Sequence, residues 1–125
     1  MNKYRNKKTV VDGINFDSAL ESRRYSFLKI MQQAGRITDL RMQVPFVLIG
    51  KFEDFQGNKY RETKYFADFT YKNAKGEYIV EDTKSEYVRK HDKTYAIKKK
   101  LLLSTHGGML FYEVENPEDT RGIEI

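Results

Sequence analysis

The residues of this chain best suited to chemistry are Asp68, Asp82 and Lys84. Asp68 interrupts an aromatic run, Tyr65-Phe66-Ala67-Asp68-Phe69, where a charge is costly to place. Asp82 and Lys84 stand two apart in Val80-Glu81-Asp82-Thr83-Lys84, so in a strand they project from one face. The two runs are joined through Asn73-Ala74-Lys75-Gly76. If the loop is Ala74, Lys75 and Gly76, with Gly76 supplying a positive φ, Asn73 pairs with Glu77. The same antiparallel register sets Asp68 opposite Asp82, with side chains roughly 5 Å apart. Two carboxylates that close repel unless a cation lies between them. Mg²⁺ takes such oxygen ligands, one or two carboxylates plus waters and phosphate. A cation so held polarises a phosphate, and an ammonium beside it positions water or steadies developing charge. The chemistry this implies is hydrolysis of a phosphodiester. A loop one residue longer sets Asp68 opposite Glu81 and makes Glu81 the second acid. The first register is preferred because it brings Lys84 onto the shared face. Taken alone, Asp82 and Lys84 also read as a solvated strand edge.

Other elements must position these groups. Lys8 to Phe16 reads as a small hairpin turning at Asp12-Gly13. A helix follows, capped by Asp17 or Ser18 and stopped at Gly35, with Leu20, Phe27, Met31 and Ala34 on one face. Arg24 points toward that same side, and nothing in the sequence accounts for it. Leu40, Met42, Val44, Phe46 and Leu48 alternate with Arg41, Gln43 and Pro45, which predicts a half-buried strand. Its Pro45 favours an edge position or a bulge. Residues 50–58 read as a connecting loop, and residues 64–71 and 78–84 as two further strands. A second helix is expected from about Asp92 to Thr105, stopped by Gly107-Gly108, and Met109 to Val114 closes the fold as a strand. The order is hairpin, helix, three strands, helix, strand. It predicts a single α/β domain over residues 1–125, a mixed central sheet flanked by helices. A basic arm (residues 1–8) and a polar tail (residues 115–125) are expected to be peripheral.

Ser18 and Glu21 have capping-box spacing, so the Glu21 carboxylate has two readings. It either bonds back to the helix start or, from the border of the apolar face, reaches the sheet as a further acid.

Composition narrows the partners. The 125 residues are 39% hydrophobic, enough for one compact core. Lys and Arg outnumber Asp and Glu by 23 to 18, a net charge of +5 that favours an anionic partner. With no cysteine, disulfides, thiolate metal sites and cysteine nucleophiles are excluded. The basic start MNKYRNKK lacks the apolar stretch of a secretory signal, and no run approaches a membrane span. A soluble, cytoplasmic protein is expected. No Gly-rich phosphate loop is present, so no nucleotide cofactor is expected, and no serine elbow is seen. His91 and His106 read as ordinary polar residues, and Tyr65, Phe66, Phe69 and Tyr71 as packing. The run Lys98-Lys99-Lys100, the pair Arg89-Lys90 and the arm with Lys3, Arg5, Lys7 and Lys8 are either solvated or in contact with phosphates.

Asp68 followed by Asp82-Thr83-Lys84 resembles the motif of the PD-(D/E)XK nuclease superfamily, an acid ending one strand and acid-any-lysine on the next. The chain as a whole, over residues 4–114, resembles a family of short phage and prophage proteins similar to Holliday-junction resolvases. That resemblance is carried by Asn6-Lys7-Lys8, Asp12-Gly13, Phe16-Asp17-Ser18, Glu21-Ser22-Arg23-Arg24-Tyr25 and Val80 to Lys84. Ala67 stands where the superfamily motif has proline. The resemblance implies a restriction-endonuclease-like αβββαβ core and a Mg²⁺-dependent endonuclease, with Mn²⁺ as a substitute. It implies a metal held by Asp68, Asp82, the Thr83 carbonyl and Glu21, with Lys84 completing the catalytic set. It further implies branched DNA as substrate, a homodimer and, for a phage protein, the host cytoplasm. Candidate nucleic-acid contacts are Lys7, Lys8, Arg23, Arg89, Lys98 and Lys99. The rival readings are a non-catalytic nucleic-acid-binding module and a phage regulatory or interaction protein.

Overall fold

A computed structural model describes residues 8–124. Two short strands, β1 (Thr9–Val11) and β2 (Ile14–Phe16), form the expected hairpin, with Asp12 at φ 53° and Gly13 at φ 75° as its turn. Helix α1 (Ala19–Gln33) starts at Ser18, whose hydroxyl accepts from the Glu21 amide, and stops before Gly35 at φ 76°.

The central sheet holds β3 (Ile37–Ile49), β6 (Thr63–Asn73), β7 (Tyr78–Thr83) and β8 (Leu110–Val114) in that spatial order. β3, β6 and β7 pair antiparallel, and β8 joins β7 in parallel, so the sheet is mixed. β3 is an edge strand, which suits Pro45. Between β3 and β6 lies a hairpin absent from the sequence reading, β4 (Phe52–Glu53) with β5 (Lys59–Tyr60). A short helix α2 (Glu86–His91) precedes α3 (Lys93–Thr105), which Asp92 caps through the Tyr95 amide. No helix among the described residues is long and apolar enough to cross a membrane.

Two cores form, one on each face of the sheet. Tyr25 and Leu28 of α1 pack with Phe69, Tyr71 and Ile79. Tyr95 and Leu102 of α3 pack with Leu48, Tyr65, Ala67 and Val80. Ile79 and Val80 are consecutive in β7, so the two clusters occupy opposite faces. Strict alternation would keep Ala67 and Phe69 on one face, and Met42, Phe46 and Leu48 on that same face. They divide between the clusters instead, so β3 and β6 exchange faces between the pairs Val44–Ala67 and Met42–Phe69. Gln43 and Asp68 occupy that switch, and Gln43 has φ 50°, an uncommon conformation for a side chain of its size.

Two expectations about burial are corrected. The α1 face turned inward carries Glu21, Arg24, Tyr25 and Leu28, with Phe27 and Met31 only half-buried and Ala34 exposed. The tail after Glu115 is part of the core, since Ile123 is 1% exposed and joins the α1-side cluster. Buried Arg24 explains both. Its guanidinium donates to Glu81 Oε1 and Oε2 at 2.8 and 2.6 Å, and to the carbonyls of Pro117 and Asp119 at 3.0 and 2.6 Å. Tyr71 adds a hydroxyl to the same Glu81 carboxylate. Burial would lower the Arg24 pKa, but its bonds to Glu81 outweigh this and hold the cation.

Candidate active site

The turn between β6 and β7 has the register the sequence favoured. The Asn73 amide donates to the Glu77 carbonyl and the Gly76 amide to the Asn73 carbonyl, with Gly76 at φ 79°. Phe69 pairs with Glu81, so the next level sets Asp68 against Asp82. Glu81 is thereby excluded as the second acid, because it points into the α1-side core toward Arg24.

At that level the ladder opens. The Asp68 amide donates to Asp82 Oδ1 at 2.9 Å, and the Thr83 amide and hydroxyl donate to Asp68 Oδ2 at 2.9 and 2.8 Å. Each aspartate thus serves the backbone of the other strand where carbonyl partners have run out. The two carboxylates bridge a fork, in place of the flat face-to-face pair expected. Gln43 completes the arrangement, its amide nitrogen 3.2 Å from both Glu21 Oε1 and Asp68 Oδ1. The Glu21 side chain therefore reaches the sheet, and the Ser18 hydroxyl caps the helix start.

Glu21, Asp68, Thr83 and Lys84 line one cleft of about 490 Å³, walled by the start of α1 and by Val88 of α2. Asp82 does not line it. It is 1% exposed, and only its Oδ1 is hydrogen-bonded among the described residues. Burial raises the Asp82 pKa to about 6, against the opposing pull of the Asp68 amide and Lys84. Burial, then the charges of Asp68 and Asp17, raise Glu21 to about 7. Lys84 sits on the α3 side with its ammonium 5.0 Å from the centroid of the Tyr95 ring. Tyr95 in turn donates to Glu113 at 2.6 Å.

Whether these residues suit a divalent cation turns on donor chemistry and crowding. All the donors are hard oxygens, and burial holds two of the carboxyls above their ordinary range. Among the described residues no three His, Cys, Asp or Glu groups come together as a metal cage. Oxygen donors of this kind match in chemistry a hard cation that keeps most of its waters, as Mg²⁺ does.

The nucleic-acid candidates are scattered. Lys7 lies outside the described residues, Lys8 and Arg23 are exposed, and Lys98 is half-buried on α3. Arg89 and Lys99 do meet, with Lys90 and Lys100, in a second cleft of about 640 Å³ beside Tyr95. Arg89 is 3.4 Å from Glu115 and Lys99 is 3.0 Å from Glu113, so part of that charge is internally balanced. His91 bonds to the Tyr87 carbonyl and His106 packs on Phe46, away from both acids. Sequence reading missed Gln43 and Tyr95. Neither carries a sequence signal, since one depends on the face switch and the other on a helix docking over β7.

No curated protein and no solved structure matches the chain. A family model does match, over residues 1–115, and its description is "Protein of unknown function (DUF1064)". The match covers nearly the whole chain and includes every group of the cleft, so this protein belongs to the DUF1064 family.

Proposed function

We propose that the protein is a Mg²⁺-dependent endonuclease acting on DNA, with branched or recombination intermediates as substrate. The observation that carries this reading is the fork at Asp68 and Asp82, whose Asp68 lines a cleft with Glu21, Thr83 and Lys84 while Asp82 is buried behind it. The order α1, β3, β6, β7, α3, β8 agrees with the αβββαβ core that the superfamily resemblance implies. Asp68 and Asp82 would hold the cation, with the Thr83 carbonyl and Glu21 as further oxygen donors. A cation bound there supplies Lewis-acid polarisation of a phosphodiester and activation of water. Lys84 brings a positive charge to the phosphate, its ammonium lying over the Tyr95 ring. Gln43 holds Glu21 and Asp68 at one spacing before ligand arrives. The cleft of Arg89, Lys90, Lys99 and Lys100 adjoins Lys84 through Tyr95, so a strand lying along it would present a phosphate to the acids. A two-fold homodimer would present two such sites to two strands.

One observation favours a second reading, a binding module without catalysis. Both Asp68 oxygens are already hydrogen-bonded, and no three-acid cage exists among the described residues. A cleavage assay separates the two. A labelled four-way junction, a flap and a linear duplex are incubated with Mg²⁺, Mn²⁺ or EDTA, beside Asp82→Ala. Metal-dependent cutting that disappears in the variant supports the enzyme. Tight binding with no cutting in either metal refutes it and supports the module.

A further inference from the structure

The β4–β5 hairpin stands outside both core clusters, yet its turn is tightly built. Asp54 Oδ1 accepts from the amides of Gln56 and Asn58, each at 2.9 Å, and Oδ2 accepts from Asn58 Nδ2 at 3.0 Å and the Tyr60 hydroxyl at 3.3 Å. Backbone bonds from Asp54 to Asn58 and from Gly57 to Asp54 close the loop, with Gly57 at φ 86°. Within this turn Phe55 is fully exposed. Turns of this kind are ordinarily filled by polar residues, and a large ring held out in water forgoes its hydrophobic gain. Behind it Phe52 stacks on Tyr60, centroids 4.7 Å apart and planes 13° from parallel. Glu53 pairs with Lys59, and Lys51 and Arg61 continue the two strands at their feet. Lys51, Lys59 and Arg61 form no ion pair among the described residues.

We propose that this hairpin is a base-stacking finger, in which Phe55 covers an unstacked nucleobase while Lys51, Lys59 and Arg61 hold the adjoining phosphates. One aromatic side chain buries about 150–250 Å². That is far less than the roughly 800 Å² each partner gives to a stable protein interface. Phe52 and Tyr60 of the same hairpin are also exposed but stack on each other, and the exposed Val47, Ile49 and Phe66 lie on β3 and β6 and not in the turn. A single ring does suffice for a base, because every base has a π-face, and unneutralised cations suit a phosphate chain. In intact duplex both faces of each base are covered by its neighbours, so the ring finds a partner only where stacking is broken, at a gap or a branch. The inference rests on the DNA reading above and adds to it the feature of the DNA that is recognised.

The test is fluorescence anisotropy in EDTA with a four-way junction, a gapped duplex and an intact duplex of equal length. A base analogue, 2-aminopurine, is placed beside the gap. The wild type should prefer the junction and gapped duplex. Phe55→Ala should lose roughly five- to 150-fold on both, from the usual worth of one stacked base, and about twofold at most on intact duplex. Phe55→Trp should retain the preference and the 2-aminopurine response, which Phe55→Ala should lack. Replacing Lys51, Lys59 and Arg61 by alanine should weaken all three complexes. Equal losses on all three DNAs for Phe55→Ala, or none, would overturn the finger. So would a change in molar mass by light scattering with no 2-aminopurine signal, which would make Phe55 a contact between copies. The same DNAs in Mg²⁺ keep the two readings apart. Phe55-dependent preference without cleavage overturns the nuclease and leaves the finger. Cleavage that Phe55→Ala preserves, without preference, overturns the finger and leaves the nuclease.

Discussion

Replacing Arg24 by methionine should be the most damaging single change in the α1-side core. Arg24 is completely buried and makes four hydrogen bonds, two to Glu81 and two to carbonyls of the tail. Methionine keeps the stem and removes the charge, leaving the Glu81 carboxylate buried with Tyr71 as its donor. Breaking one partner of such a pair costs about 3–5 kcal/mol, a large share of the roughly 5–15 kcal/mol that stabilises an ordinary domain. The double variant Arg24→Met with Glu81→Met removes the stranded charge. It still orphans the carbonyls of Pro117 and Asp119 and the Tyr71 hydroxyl, at about 1 kcal/mol each. It should therefore fall below the wild type by about 1–3 kcal/mol and stand above the single variant. Urea unfolding of the three proteins at pH 7.5 measures this, with m checked for constancy. The reasoning fails if the single variant loses less than about 1 kcal/mol, or if the double is no more stable than the single. The pair also bears on the site. A slip of one residue in β7 would exchange Glu81 and Asp82, and only Glu81 in its present place meets Arg24.

Four further outcomes can be measured directly. Glu21 titrates near 7 in the folded protein and near 4.5 when unfolded, so the folded state holds the extra proton between those values and stability declines as pH rises through them. In EDTA, Glu21→Gln should lack that decline, and the gap in Tm between variant and wild type should widen from pH 4.5 to 7; a constant gap would refute the burial of this carboxyl. Asp82→Asn should behave alike over a lower window, from 3.8 to about 6. Ile123→Ala should cost about 2–5 kcal/mol in urea unfolding if the tail belongs to the core, and under 0.5 kcal/mol if it does not. Gly122→Ala tests the same docking, because its new Cβ would stand 2.7 Å from the Tyr71 hydroxyl and 2.9 Å from Ile79 Cγ2. A loss of about 1–3 kcal/mol is expected there.

By itself the sequence determined whatever depends on neighbours a few residues apart. Gly76 and the short turn narrowed the β6–β7 register to two, and the shared face of Lys84 favoured the one that pairs Asp68 with Asp82. Asp17-Ser18 bracketed the start of α1 and Gly35 its end, while Pro45 limited β3 to an edge or a bulge. Such features follow from local sterics and hydrogen bonds, which residue types report. Tertiary structure decided the rest, because the relevant partners are far apart in the chain. Arg24 meets Glu81 across 57 positions, and Gln43 reaches Asp68 across 25. The β4–β5 hairpin has only two paired positions, too few to leave a periodic pattern. The tail looked polar because its core anchor Ile123 is flanked by charges and glycine. Period two predicted which β3 residues share a face, but the positive φ at Gln43 exchanged those faces midway. Alternation describes a straight strand, and where a strand must feed two cores on opposite sides, packing overrides it.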